Sequence, residues 1–444
     1  LFLKKYTDNI SGLQIFQILR YGTLLLISIV LAKSKLTTEA IGEYEFFMFF
    51  SALVCSFWIN GLIQAFLPLY NNNKSFTRTG RRSPEIYNAF LLISLFSLLS
   101  IILIAVFKGL IINTLAKPTD TPCFNLILFY IFFSSPAYLI EYIYLLRNRP
   151  DRMLKYGFIT FCMQFIFVSS PVLMGGTIEF SLTGLVIISV IRYIWIIVLI
   201  KKYSRPVFSP RFIIEHLHFA YPLILSTLLG GSAHYVDGLL VLSKFDSAKF
   251  AVFSYGAREF PLVLLMANAL SAAFIPDFSA GKNPETIMNL LKKRSAQLMH
   301  LLFPATIIFL LCSKWLYPLI FNQSFAESAV IFNIYLLLII SRLVFPHTIL
   351  IGMKRMKIIM YASLAELIVN ISLSLIFINL WGIEGVAFAT IIAYATQKII
   401  WIAYNKYVLG ILPGKYIPAG IFIIYSFITI ALFLLIYLNG IFYN

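Results

Sequence analysis

Five basic and four acidic residues stand inside long apolar runs of this sequence: Arg20, Arg192, Arg258, Arg342 and Lys398, with Glu141, Asp237, Glu259 and Glu366. A charge in hydrocarbon costs at least about 2.5–3.5 kcal/mol at a helix centre, so such residues are candidates for function before anything else. The excess is cationic, which suits an anionic ligand. A guanidinium presents a planar fork of donors that matches phosphate oxygens two at a time. Arg20 is the first candidate for that role, because Gln14, Gln17 and Arg20 form a polar stripe on an otherwise apolar helix. A structural or snorkelling role is the alternative. Arg258 and Arg342 come next, then Arg192 and Lys398, which sit about eight residues inside Lys201 and Lys406, roughly 12 Å at the helical rise. At that depth partial snorkelling competes with ligand binding.

The acids suggest a second kind of chemistry. Asp237 follows His234 by three residues on one helical face, and a buried carboxylate beside an imidazole can exchange a proton. A satisfied polar pair holding helices together is the competing reading. Glu366 and Asn370, one turn apart, could bind Na⁺ or H⁺ or neutralise an arginine. Asn60 and Gln64, also one turn apart, could bond sugar hydroxyls, with interhelical hydrogen bonding as the alternative. Glu259 directly follows Arg258, so the two point to different sides of their helix.

The elements that position these residues follow from composition. Of 444 residues 60% are hydrophobic and 12% charged, far from the globular balance of roughly half and a quarter. The apolar residues come in continuous runs of roughly 20, the length a helix needs to cross about 30 Å of hydrocarbon, without the alternation of a membrane barrel. Thirteen transmembrane helices are expected: Ile10–Ala32, Tyr44–Leu67, Ile86–Phe107, Cys123–Leu145, Tyr156–Leu173, Leu182–Ile200, Ala220–Leu242, Phe250–Ile275, Leu298–Trp315, Ala329–Leu350, Ile358–Ile378, Val386–Tyr404 and Ile417–Tyr437.

The net charge of +17 invites a nucleic-acid partner, but its distribution argues against one. Of the 35 Lys and Arg residues, 23 lie in the connectors on the side of the N-terminus and 7 on the opposite side. That asymmetry is the positive-inside pattern and places the N-terminus in the cytoplasm. The first helix is expected to serve as the insertion signal, with no cleaved leader before it. The basic, partly amphipathic segments 71–84, 209–218 and 284–296 read as solvated connectors, with contact to an anionic inner leaflet as the sharper alternative and His216 and His218 facing headgroups. No connector is long enough for a soluble domain. The four cysteines have no ligand spacing, and no Walker motif, HExxH site or nucleophile constellation is present, so no enzyme activity, metal or cofactor is expected.

A repeat of about 208 residues organises the helices. Leu62–Tyr70 (LIQAFLPLY) matches Leu270–Phe278 (LSAAFIPDF), and Arg192-Tyr-Ile-Trp195 resembles Lys398-Ile-Ile-Trp401, with Lys202-Tyr203 and Lys406-Tyr407 closing the two helices. Six helices per copy give two halves of like orientation. The expected architecture is an all-α integral membrane protein with an N-terminal six-helix lobe at 1–203, a C-terminal six-helix lobe at 204–407 and an additional C-terminal helix at 408–444.

Further residues carry a family likeness: Ile41-Gly42-Glu43-Tyr44, Gly61 with Pro68, Ala220-Tyr221-Pro222-Leu223, Asp237, Phe253-Ser-Tyr255-Gly-Ala257 and Trp381-Gly-Ile-Glu-Gly385. The chain resembles the polysaccharide-export branch of the multidrug/oligosaccharidyl-lipid/polysaccharide exporter superfamily, the O-antigen-type flippases, over nearly its whole length. Ala251-Val252-Phe253 departs from the family's Gly-x-Tyr. The resemblance implies a V-shaped core of twelve helices and translocation of undecaprenyl-diphosphate-linked sugars across the bacterial inner membrane. For such a substrate the intramembrane residues named above offer Arg20, Arg258, Arg342, Arg192, Lys398, Gln17, Asn60 and Gln64 as binding candidates. Ion coupling differs among relatives and is not carried over; the residues themselves offer Asp237, Glu366, His234 and Asn370 as ion-coupling candidates, with H⁺ or Na⁺ as the coupling ion. The partners implied are the lipid-linked oligosaccharide, membrane lipids and glycan-assembly proteins such as a polymerase. A multidrug or small-solute antiporter of the same superfamily is the other reading.

Overall fold

A computed structural model describes residues 9–71, 82–115, 124–279, 283–353 and 355–438. Helices dominate: α1 Asn9–Lys33, α2 Thr38–Asn71, α3 Pro84–Val106, α4 Lys108–Leu115, α5 Phe124–Ala137, α6 Leu139–Leu146, α7 Pro150–Leu173, α8 Ile178–Tyr203 and α9 Pro210–Lys244. They continue with α10 Ser247–Gly256, α11 Pro261–Ser279, α12 Pro284–Ile320, α13 Ser328–Leu336, α14 Leu338–Arg342, α15 Pro346–Gly352, α16 Met356–Tyr407 and α17 Ala419–Leu438. Proline opens α3, α7, α9, α11, α12 and α15, where its missing N–H has no intrahelical partner to lose and its fixed φ suits the first turn.

Ten helices among the described residues are long and apolar enough to cross a membrane, and twelve spans result when each of two bent pairs is taken as one. The 52-residue α16 leaves helical geometry at Trp381 and Gly382, the latter at φ 59°, a left-handed conformation that glycine adopts without a Cβ clash. That break divides α16 and adds one span, giving the thirteen expected. Many exposed side chains on these helices are apolar, as along α17 at Ile423, Ile424, Phe427, Leu434, Leu435 and Leu438, the surface a helix offers to lipid rather than water.

Two expectations are corrected. Residues 210–218 and 284–296 are not connectors but the first turns of α9 and α12, which outrun the expected Ala220 and Leu298. His218 is exposed as expected, but His216 is fully buried, with its Nε2 2.7 Å from the Leu62 carbonyl oxygen. Residues 72–81 of the first basic segment lie outside the described residues.

The chain forms two compact units, one of Leu1–Gly231 with Asp246–Ala248, the other of Ser232–Phe245 with Lys249–Asn444. In the first, α1 packs on α7, α7 on α8, α8 on α5 and α5 on α3. Isolated backbone bonds tie helix ends together: the Ser83 N–H donates to the Tyr203 carbonyl at 2.9 Å, and Arg205 N–H to that of Ser83 at 3.2 Å. In the second, α12 packs on α11, α13 and α17, with Met299, Leu302, Phe303, Leu343 and Phe345 in the core. Phe66 with Tyr70 in the first unit and Phe274 with Phe278 in the second, the paired aromatics of the sequence repeat, are all buried.

The second unit contains two bent spans, α10 with α11 at 52° and α13–α14 with α15 at 50°. A break in a span frees backbone carbonyls that hydrocarbon cannot satisfy. Around the second break side chains supply donors: Ser295 Oγ to the Leu343 carbonyl at 3.2 Å, Lys398 Nζ to Val344 at 3.3 Å and Asn405 Nδ2 to Pro346 at 3.2 Å. The first bend begins at Gly256, where an added Cβ would stand 2.6 Å from both the Ser328 carbonyl oxygen and Ile331 Cβ. Gly256→Leu is therefore expected to destabilise the unit by roughly 1–3 kcal/mol through overpacking. A lowered Tm in detergent checks this, against an unchanged Tm for Gly420→Leu, which has open space around it.

Candidate functional site

Two polar centres are built, one within each unit. The first gathers residues from α1, α5–α6, α7 and α8. Arg20 projects from the middle of α1 and pairs through Nη2 with Glu141 Oε2 on α6. The carboxylate is 3% exposed and the guanidinium side chain 29%, so the acid lies beneath and the base opens outward. The Arg20 guanidinium is ringed by Phe16, Tyr138 and Phe161, with centroids at 5.0, 5.5 and 6.0 Å. Arg192 of α8 approaches the same Phe161 ring, at 5.4 Å, and donates through Nη2 to Gln164 Oε1 at 2.7 Å. Its buried Nε has no hydrogen-bond partner among the described residues. Thus Arg20 and Arg192, distant in sequence, both approach one aromatic ring, and of the two only Arg20 is ion-paired to Glu141.

Sequence alone identifies both arginines but not Gln164, Phe161 or the pairing with Glu141. Gln164 lies one turn beyond Phe161 on α7, a polar residue inside an apolar helix, and that was the available signal. Gln17 is half-buried one turn before Arg20, and Asn60 and Gln64 are exposed on α2.

The second centre surrounds Asp237, wholly buried on α9. Its Oδ1 accepts from Asn370 Nδ2 at 3.1 Å, and its Oδ2 accepts from Thr390 Oγ1 at 2.5 Å and the Tyr335 hydroxyl at 3.2 Å. Asn370 Nδ2 also donates to Thr390 Oγ1 at 3.2 Å, while Asn370 Oδ1 is buried without a partner among the described residues. The two halves of α16 thus meet at one carboxylate, Asn370 before the Trp381–Gly382 break and Thr390 after it. One carboxylate among neutral oxygens is a donor set for a hard monovalent cation or a proton, not for a transition metal. Thr390 and Tyr335 carry no sequence signal of their own, since a hydroxyl in an apolar helix usually bonds its own backbone. The side chain of His234, expected beside Asp237, lies outside the described residues.

Glu366 does not share its carboxylate with Asn370 one turn away. It accepts instead from Gln397 Nε2, whose amide also donates to Ser363 Oγ at 3.1 Å. The remaining basic candidates each have partners in the same unit. Arg342, at the end of α14, makes a two-pronged bond to Glu259, with Nε at 2.9 Å and Nη2 at 2.5 Å, and lies 4.5 Å from the Tyr394 ring. Glu259 sits at the bend between α10 and α11, so this ion pair links the two bent spans. Arg258, its neighbour, turns back to the Ser254 carbonyl at 3.2 Å and the Tyr255 ring at 4.8 Å. Lys398 is buried against Trp401, 5.1 Å from its ring.

Bent spans, buried charge centres and apolar exposed faces define a multi-pass membrane protein. The fold agrees. It is similar to the lipid II flippase MurJ in an inward closed conformation, at TM-score 0.67 and 19% identity over 96% of this chain and 92% of that one. It is similar also to an inward-facing multidrug resistance MATE transporter of the MOP superfamily, at 0.65 and 12% over 91% and 98%. A eukaryotic MATE transporter matches at 0.53 and 13% over 88% and 95%. No curated protein matches the chain. Residues 35–330 match the model of the family described as polysaccharide biosynthesis protein, and the chain belongs to that family.

Proposed function

We propose that the protein is a flippase that carries undecaprenyl-diphosphate-linked oligosaccharide across the bacterial inner membrane, from the cytoplasmic to the outer face, by alternating access. The observation that carries this reading is the first centre, where two arginines within membrane spans both approach Phe161 and, among the described residues, one is ion-paired to a carboxylate while the other bonds an uncharged glutamine. A buried positive charge without its counter-ion is costly, and an anionic ligand supplies the missing charge. The Asp237 centre couples the cycle to H⁺ or Na⁺ movement. Basic connectors keep the N-terminus on the cytoplasmic side, and 1–203, 204–407 and 408–444 act as two lobes and an appended helix. Glycan-assembly proteins, a polymerase among them, are the expected partners.

Reconstitution in liposomes tests this directly. Purified protein is expected to move a fluorescent polyprenyl-diphosphate oligosaccharide from one leaflet to the other, scored by its protection from a membrane-impermeant quencher. Absence of movement under both Na⁺ and H⁺ gradients, with uptake of a cationic drug in the same vesicles, would establish the antiporter instead.

A further inference from the structure

The first centre contains an acid that the binding of an anion does not need. Arg20 has Glu141 as its ion-pair partner, and Arg192 has the uncharged Gln164. The carboxylate beneath Arg20 therefore compensates one of two positive charges and leaves the other unmatched. A diphosphate diester is a dianion and would match both arginines if the carboxylate were absent. With Glu141 in place, a bound dianion faces a third negative charge a few ångströms away in a poorly screened site.

We propose that Glu141 is an internal competitor for the diphosphate, a positioning residue that holds the Arg20 fork in the empty site and weakens the occupied one so that the headgroup can leave. Three features support this. First, the exposures are unequal: the guanidinium side chain is 29% exposed and the carboxylate 3%, so an incoming anion meets Arg20 from the open side while Glu141 stays behind it. Second, the guanidinium is contacted by the Phe16, Tyr138 and Phe161 rings, which attract a cation but offer no negative charge to lose. The fork therefore keeps its place when it changes partner. Third, Glu141 lies one turn beyond Tyr138, whose backbone stays helical at φ -59° and ψ -21° and whose ring lies 5.5 Å from the Arg20 guanidinium, so acid, base and ring belong to one continuous stretch of the fourth span and its neighbour. Exchange of the carboxylate for the diphosphate would thus be felt along α6 and at the Tyr138 ring that packs on Arg20. A site that moves cargo must bind firmly enough to load and weakly enough to release, and an acid built into a cationic site sets that balance.

This inference rests on the flippase reading, and the experiment separates the two. Binding of undecaprenyl diphosphate and of inorganic pyrophosphate to purified protein in detergent is measured beside translocation in liposomes. Glu141→Gln is expected to tighten undecaprenyl diphosphate binding at least tenfold and to slow multiple-turnover translocation by a similar factor, while Glu141→Asp stays near wild type. A parallel tightening for pyrophosphate assigns the effect to the headgroup rather than the lipid tail. If wild-type protein binds neither probe, the flippase reading itself falls. If wild type binds and a monodisperse Glu141→Gln binds equally or more weakly, Glu141 is only a structural counter-ion and the proposal is overturned. Should Glu141→Gln fail to fold, Gln164→Glu provides the opposite case: adding a second acid beside Arg192 is expected to weaken undecaprenyl diphosphate binding at least tenfold, and unchanged affinity overturns the proposal.

Discussion

Asp237→Asn is expected to remove the cation dependence of transport while leaving the protein folded. The substitution preserves shape but exchanges one acceptor oxygen for an NH₂ in a place where Asn370, Thr390 and Tyr335 all direct donors at the carboxylate. One of those donors then faces another donor, and the charge that would attract a cation is gone. Linkage between an ion site and a second ligand is typically worth about 5- to 150-fold in affinity, and a loss in that range is expected for gradient-driven translocation. The comparison is made in proteoliposomes under a Na⁺ gradient and under a pH gradient separately. The gradient that accelerates wild type and fails to accelerate Asp237→Asn identifies the ion. Thr390→Val, which removes one oxygen and keeps the volume, is expected to fall between the two. A variant that responds to both gradients as wild type does would remove Asp237 from the coupling step.

How much of this was legible in the sequence depends on the range of the interaction concerned. The spans follow from local composition, since hydrocarbon thickness fixes the length of an apolar run, and each expected apolar run falls on a helix or a bent pair of helices. Helix ends are less legible. Pro210 and Pro284 were signals for earlier starts to α9 and α12, but their polar first turns lower the local hydropathy and read as connectors. His216 shows why: on an amphipathic turn, burial depends on which face meets a neighbour, and here that face meets Leu62 across the first unit.

The charged candidates divide in a related way. That Arg20, Arg192, Arg342, Asp237 and Glu366 stand inside spans is evident from single positions. Their partners are not, because each pairing joins distant segments, such as Arg20 with Glu141 or Arg342 with Glu259. Sequence proximity misled for Glu366 and Asn370: one turn apart on a helix, they serve different neighbours, Gln397 and Asp237. Even the break that brings Asn370 and Thr390 together was visible only as Trp381-Gly382, a short interruption whose geometry aligns the flanking helices.

On the proposed function, Arg20→Ala is expected to abolish export of a surface glycan, and the Glu141 pairing changes what must be controlled for. Removal of the guanidinium deletes the outward-facing fork and also strands Glu141, which is 3% exposed and bonded to Arg20. Breaking a buried pair from one side costs roughly 3–5 kcal/mol because the remaining charge has no counter-ion. The single variant is therefore expected to lose thermal stability as well as transport, and a loss of export alone could reflect loss of protein. The double variant Arg20→Met/Glu141→Met separates the two effects. Replacing both charges with apolar side chains is expected to restore Tm in detergent to near wild type without restoring translocation. Arg20→Lys is expected to keep stability and retain only part of the transport, since an ammonium supplies the charge but not the planar fork. Recovery of transport together with stability in the double variant would show that Arg20 holds α1 to α6 and does not touch the diphosphate.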